Sequence, residues 1–169
     1  ATNADPSETA CVYREAFGEA EGPVVARLAA ELLNGIENEQ SIAFVAENNH
    51  HIVGAVIFSP LRISGRDSRQ SMILAPLAVA TTSQRQGVGR ALVQHGLDRL
   101  KMQAIDFVFV YGDPKYYSRF GFTSKHQVAA PYKLKYPQAW MALDLAENGH
   151  GCVEGSAVCV PALMNADHW

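Results

Sequence analysis

Two glycines and two arginines stand together in Gln84-Arg85-Gln86-Gly87-Val88-Gly89-Arg90, between a run of strand-forming residues and a run of helical period. That combination suits an anion. The first turn of a helix leaves backbone N–H groups without partners, and the helix dipole adds partial positive charge there. Gly87 and Gly89 carry no Cβ, so a phosphate can come close to the backbone and the turn can take a positive φ. Arg85 and Arg90 can add charge-assisted hydrogen bonds. Spelling excludes two familiar phosphate loops. A P-loop needs Lys followed by Ser or Thr after its last glycine, where Arg90-Ala91 stands. A dinucleotide fingerprint needs Gly or Ala where Leu92 stands. On these residues alone, a strand-to-helix turn that binds nothing is the competing reading.

Other reactive residues narrow the field. Cys11, Cys152 and Cys159 are odd in number and not closely paired, which indicates neither a disulfide framework nor a zinc site. Idle thiols in a reducing cytoplasm fit them better. His50 and His51 fall in an expected turn, and the other histidines are scattered, so no metal is expected. A net charge of −3 argues against a surface that coats nucleic acid. With 48% apolar and 18% charged residues the balance is that of a soluble globular protein. No apolar run approaches the ~20 residues of a membrane span, and acids throughout the first thirty residues leave no signal-peptide core.

The elements that must position the loop follow from period. The 169 residues suffice for one well-buried domain, expected over 1–169. Ser7 to Phe17 predicts a first helix with Ser7 as N-cap, and Gly22-Pro23 punctuates. Val24, Val25, Leu28, Leu32 and Leu33 predict a second helix ended by Asn34-Gly35. Ser41 to Glu47 and Ile52 to Leu61 predict a hairpin turning at Asn48-Asn49-His50. A second turn falls at Ser64-Gly65-Arg66-Asp67. Ser71 to Ala80 predicts a third strand interrupted by Pro76, which cannot donate to a ladder. Val88, Ala91, Leu92 and Leu100 share a helical face, with Val93 and Leu97 widening it, and the helix fades near Ala104. Asp106 to Tyr111 reads as a strand buried on both faces. Lys115 to Phe120 is one helical turn, and Gln138 to Ala146 and Gly155 to Met164 are strands. The order gives a mixed α/β sheet with helices on its faces, its Ser71–Tyr111 unit a parallel right-handed crossover.

Three spaced stretches carry a resemblance. Gln84, Gly87 and Gly89 match the Gln/Arg-x-x-Gly-x-Gly/Ala motif of the GNAT superfamily of N-acetyltransferases, Leu77-Ala78-Val79 matches the strand end before it, and Tyr117-Ser118-Arg119-Phe120-Gly121-Phe122 matches the Tyr and Gly-Phe that follow. The chain resembles that family from Ser7 onward. With Gly112-Asp113-Pro114 it looks like a bacterial branch of largely unassigned substrates. The resemblance implies a central, mostly antiparallel mixed sheet with helices on both faces and one splayed parallel strand pair. Two departures stand out. Ala1 to Pro6 is too short and polar for the family's first strand, which is expected to be missing or truncated, and the Asn many members carry before the Tyr is absent.

The resemblance also implies a reaction: an amine, on a small molecule or a peptide, attacks the acetyl carbon of acetyl-CoA directly, without a metal. It places the cofactor on Leu77, Ala78 and Val79, on Gln84 through Arg90 (Gln84, Arg85, Gln86, Gly87, Val88, Gly89, Arg90), and on Asp113, Tyr116, Tyr117 and Phe120. Leu77 N–H would polarise the thioester carbonyl, and Tyr117 would protonate the departing thiolate. Pro76 would mark the bulge where the strands splay, or else a simple edge-strand proline. A base is harder to name, because Ser71 to Ala80 holds no carboxylate; Asp113, Glu19, Glu21 and a chain of waters stay open. The acceptor would lie against Tyr13 to Leu33 and Ala146 to Gly155, whose acids suit a cationic amine. A CoA-binding sensor without turnover is the rival class. A cytoplasmic monomer or homodimer is expected.

Overall fold

The computed structural model describes residues 6–34, 41–65, 69–146, 149 and 151–169. Among the described residues seven strands form one mixed sheet in the order β5-β7-β2-β3-β4-β6, with β1 on β2. Two compact units share the longer elements: residues 1–58 with 75–96, and 59–74 with 97–169.

The first unit opens with α1 (Pro6–Asn34), which takes in Ser7 rather than starting after it. It holds two helices; the break falls at Gly18 (φ 71, ψ −172), directly after the expected end of the first helix at Phe17, while Gly22-Pro23 lies inside the second rather than punctuating the chain. Gly18 takes a positive φ that a side chain disfavours. Gly22 is needed for closeness instead. A Cβ there would overlap the carbonyl oxygen of Arg14, so the restarted helix crosses the first at backbone distance. Pro23 follows soon after the restart, near a helix start, where a missing N–H costs least. The hairpin is as expected. β1 (Ile42–Asn48) and β2 (His51–Ser64) pair antiparallel, and Asn49 and His50 turn with φ of 51° and 63°, the two positive values of a type I′ turn. Buried Tyr13, Leu28, Leu32, Val56, Phe58 and Leu92 form this unit's core.

In the second unit the start of β3 (Ser71–Val79) pairs parallel with β4 (Phe107–Tyr111), from Ser71↔Phe107 to Ile73↔Phe109. Pro76 lies three residues past that last pair. α2 (Val88–Met102) stops where Ala104 takes φ 58 and Ile105 N–H donates to Leu100 carbonyl at 3.1 Å. β4 is buried over Phe107 to Val110, as a central strand should be. The helical turn α3 is Pro114–Tyr117, followed by a 3₁₀ turn over Ser118–Phe120. β6 (Trp140–Asp144) lies antiparallel to β4, and β7 (Glu154–Cys159) antiparallel to the end of β2. β5 (Gln127–Ala129), parallel to β7, was not expected from sequence. Among the described residues no helix is long and apolar enough to cross a membrane, and no group of three His, Cys, Asp or Glu could hold a metal. Gly35, Arg66, Asp67, Glu147, Asn148 and His150, which figured in the expected turns and acceptor loop, lie outside the described residues.

Candidate active site

The glycine loop is built between β3 and α2 by a series of short-range bonds. Ala80 N–H donates to Val53 carbonyl at 2.9 Å, and Ser83 N–H to Ala80 carbonyl at 2.8 Å, closing a 3₁₀ turn over Thr81–Ser83. Glu15 of α1 holds that turn from outside: its Oε1 accepts from Thr81 N–H at 3.2 Å and from the Thr81 hydroxyl at 2.5 Å. Gln84 and Gln86 turn back on the backbone, their Nε2 groups donating to Val79 carbonyl at 3.1 Å and Thr82 carbonyl at 2.9 Å. The motif glutamine therefore ties the strand end to the loop.

Arg85 (φ 60) and Gly87 (φ 85) both sit in the left-handed region. Gly87 carbonyl accepts the first helical bond, from Ala91 N–H at 2.9 Å, which leaves the earlier N–H groups of the turn without helical partners. Nothing lies within 4 Å of a Cβ added at Gly87, so the turn is open on that side. Arg85, Gln86, Gly87 and Arg90 are exposed, and among the described residues no carboxylate pairs with either arginine. No acid stands in the first turn of α2. The arrangement fits a multiply charged anion.

The seating of α2 is equally specific. A Cβ on Gly54 of β2 would lie 3.0 Å from Leu92 and Val88 and 3.2 Å from Ala78 carbonyl oxygen, and one on Gly96 would overlap the Phe58 ring. Phe58 in turn meets Phe44 edge-on at 6.2 Å, and Phe44 meets His95 at 5.0 Å. Two glycines thus let the helix press against β2 and fix where its N-terminus points.

The second cluster follows β4. Asp113 caps α3, its Oδ1 accepting from Lys115 N–H at 2.9 Å, with Pro114 as first helical residue. Ser118 hydroxyl donates to Pro114 carbonyl at 2.6 Å. Tyr117 is 9% exposed; its ring covers Gly112, where a Cβ would overlap it, and meets Tyr116 at 5.0 Å and Phe122 at 5.8 Å, both edge-on. Burial first, and the neighbouring Tyr116 second, raise the Tyr117 pKa well above the usual phenol value. Its hydroxyl is therefore a proton donor at neutral pH. Tyr116 is half-buried and raised by burial too, with the Arg119 guanidinium, 4.8 Å over its ring, pulling the other way. Phe120 packs on Tyr116 at 5.7 Å.

Of the expected bases, Asp113 is engaged as a helix cap. Glu19 lines an open groove of about 440 Å³ on α1 with Arg14, Glu15, Gly18 and Pro23, and Glu21 is exposed. Sequence reasoning missed Glu15 as the clamp on Thr81 and Tyr13, whose buried hydroxyl donates to Pro76 carbonyl at 3.2 Å. Neither carries a sequence signal, since each partner lies more than sixty residues away.

Residues 39–124 match the model of an acetyltransferase (GNAT) domain. The chain is 32% identical over 147 residues to the uncharacterized N-acetyltransferase YjhQ of Escherichia coli, covering 83% of this chain and 80% of that protein. It is 39% identical over 89 residues to the uncharacterized E. coli N-acetyltransferase YhbS, 53% of this chain and 50% of that one. The crystal structure of E. coli YhbS in complex with CoA superposes with a TM-score of 0.84 at 27% identity, covering 96% of this chain and 88% of that chain. The phosphate-ready turn, the tyrosine behind β4 and these matches together show that the chain belongs to the GNAT family of acetyltransferases.

Proposed function

We propose that this chain, an acetyl-CoA-dependent N-acetyltransferase, holds its donor with the turn from Gln84 to Arg90. The observation that carries the reading is the open turn at Gly87, followed by unpartnered helical N–H groups and flanked by two arginines free of carboxylates among the described residues. Those N–H groups and Arg85 and Arg90 hold the pyrophosphate. Backbone groups of Leu77 and Val79 pair with the pantetheine amides as an added strand would, and Ala78 lies between them. Asp113, Tyr116 and Phe120 border the thiol end. That the E. coli YhbS crystal structure is a complex with CoA supports CoA as the carrier of the donor.

The amine nitrogen attacks the acetyl carbon, and Leu77 N–H stabilises the negative charge that gathers on the carbonyl oxygen. The tetrahedral adduct collapses by breaking the C–S bond, and the leaving sulfur takes its proton from Tyr117. An alkylammonium with a pKa near ~10.4 must first lose a proton. Glu19 is the one expected carboxylate that lines the α1 groove among the described residues, and it takes that proton directly or through water. Glu15 and Glu19 on the groove favour a small cationic amine as acceptor. Free-thiol release measured with acetyl-CoA and a panel of cationic, neutral and acidic amines tests the reading. Release should depend on amine and be fastest with cationic acceptors. Donor binding without amine-dependent release, or preference for acidic amines, contradicts it.

A further inference from the structure

Tyr13 stands on α1 with none of its surface exposed, and its phenol O–H donates to the carbonyl oxygen of Pro76 at 3.2 Å. Burial raises its pKa far above the ordinary tyrosine value, so the group remains a donor throughout the working pH range.

That bond fixes more than one atom. Carbonyl oxygen and N–H of a trans peptide lie in its plane and point to opposite sides of the C–N bond, and the Pro76–Leu77 peptide is trans. When Tyr13 holds the Pro76 oxygen, Leu77 N–H is aimed the other way. The ladder agrees. Ala80 N–H donates to Val53 carbonyl at 2.9 Å, and Ala78 carbonyl oxygen lies 3.2 Å from where a Gly54 Cβ would stand. Residues 80 and 78 thus present their polar backbone groups to β2, and by alternation Leu77 and Val79 present theirs to the opposite edge.

We propose that Tyr13 is a positioning residue for the acetyl transfer: through the Pro76–Leu77 peptide it holds the Leu77 N–H in line for the thioester oxygen. The inference rests on the reading that Leu77 N–H polarises that carbonyl. Tyr13 does not touch the acetyl group. It removes the freedom of the peptide plane to rock, so the donor needs no reorganisation when charge develops on the oxygen.

The test is infrared difference spectroscopy of bound acetyl-CoA labelled with ¹³C at the thioester carbonyl, read beside kcat, CoA affinity and melting temperature. Wild-type protein should lower the carbonyl stretch relative to free acetyl-CoA. Tyr13→Phe keeps the ring and removes only the hydroxyl. It should return the stretch most of the way to the free value, lower kcat roughly tenfold, a fraction of what losing an oxyanion donor outright costs, and leave the affinity for CoA, which has no thioester carbonyl, unchanged. Should the Phe variant fold poorly, 4-fluorophenylalanine at position 13 fills the hydroxyl's volume without donating, and 4-aminophenylalanine restores a donor and the lowered stretch. A lowered stretch and full kcat in the donor-free variants overturn the role of Tyr13 and leave the Leu77 reading standing. No lowering in the wild type overturns the Leu77 reading itself, and the role of Tyr13 with it.

Discussion

Gly87 and Gly151 form a matched pair on which the anion-binding turn can be judged. Their φ angles are 85° and 83°, and nothing lies within 4 Å of a Cβ added at either. Alanine at either position meets no clash and pays only in backbone conformation. The left-handed region costs an L-residue about 1–2 kcal/mol, and the stiffer unfolded chain offsets roughly 0.4–1 kcal/mol of that. Each variant should lose about 1 kcal/mol, which for a chain of this length is a fall of about 2–4 °C in Tm. Donor affinity should separate them. At Gly87 the new methyl stands on the open side of the turn and strains the backbone that presents the N–H groups. Loss of one hydrogen bond to a charged group is worth about 1.5–3 kcal/mol, so the Kd for acetyl-CoA should rise roughly 10- to 150-fold. Calorimetric titration and thermal melting of Gly87→Ala and Gly151→Ala check both numbers. Equal falls in Tm with unchanged Kd in both variants would refute the assignment of the turn to the pyrophosphate.

Three further outcomes follow from the packing and the buried groups. Tyr117→Phe should lower kcat about 100-fold, the low end for loss of a general acid, with little change in acetyl-CoA KM; because burial holds the phenol protonated, wild-type kcat should not fall through pH 10, where an ordinary tyrosine ionises (~10), and an unchanged kcat in the variant removes the role. Gly96→Ala drives a methyl into the Phe58 ring and should cost about 1–3 kcal/mol by overpacking; adding Phe58→Leu should recover part of it, and additive losses in urea unfolding would contradict the contact. Burial pushes the Cys159 thiol up to about 12, whereas an unfolded thiol ionises near ~8.5. The unfolded chain therefore releases a proton that the folded chain keeps, and this contribution is complete below about pH 8.5 and lost as pH rises toward 12. The wild-type urea midpoint should fall between pH 8 and pH 9.5 more steeply than that of Cys159→Ala, and parallel profiles would count against it.

How far the sequence could be read depended on whether a residue's role is local. The Asn49-His50 turn, the helix from Val88 and the buried strand Phe107–Tyr111 each show in the period of their own neighbours, and all three stand where expected. The glycine loop was legible for the same reason. Gly18 and Gly22 were not: they look alike in sequence, yet one breaks the helix with its φ and the other permits close crossing without breaking it. Their roles depend on what lies beside them in space. β5 has only three residues, too few to show a period, and exists through its pairing with β7. Tyr13 and Glu15 act on Pro76 and Thr81, and a charged or aromatic residue in an amphipathic helix gives no hint of a partner so far along the chain.

Truncated donors show whether the turn from Gln84 to Arg90 holds the pyrophosphate. Acetyl-CoA and acetyl-pantetheine, which lacks the pyrophosphate and nucleotide, should be titrated into the wild type and into Arg85→Ala and Arg90→Ala, with 4′-phosphopantetheine and dephospho-CoA bridging the two. The turn from Gln84 to Arg90 predicts that most of the affinity appears when the pyrophosphate is added, between 4′-phosphopantetheine and dephospho-CoA. It also predicts that the arginine substitutions weaken only the donors that carry that group. Equal affinity across the series, or equal weakening of acetyl-pantetheine by the arginine substitutions, would contradict it.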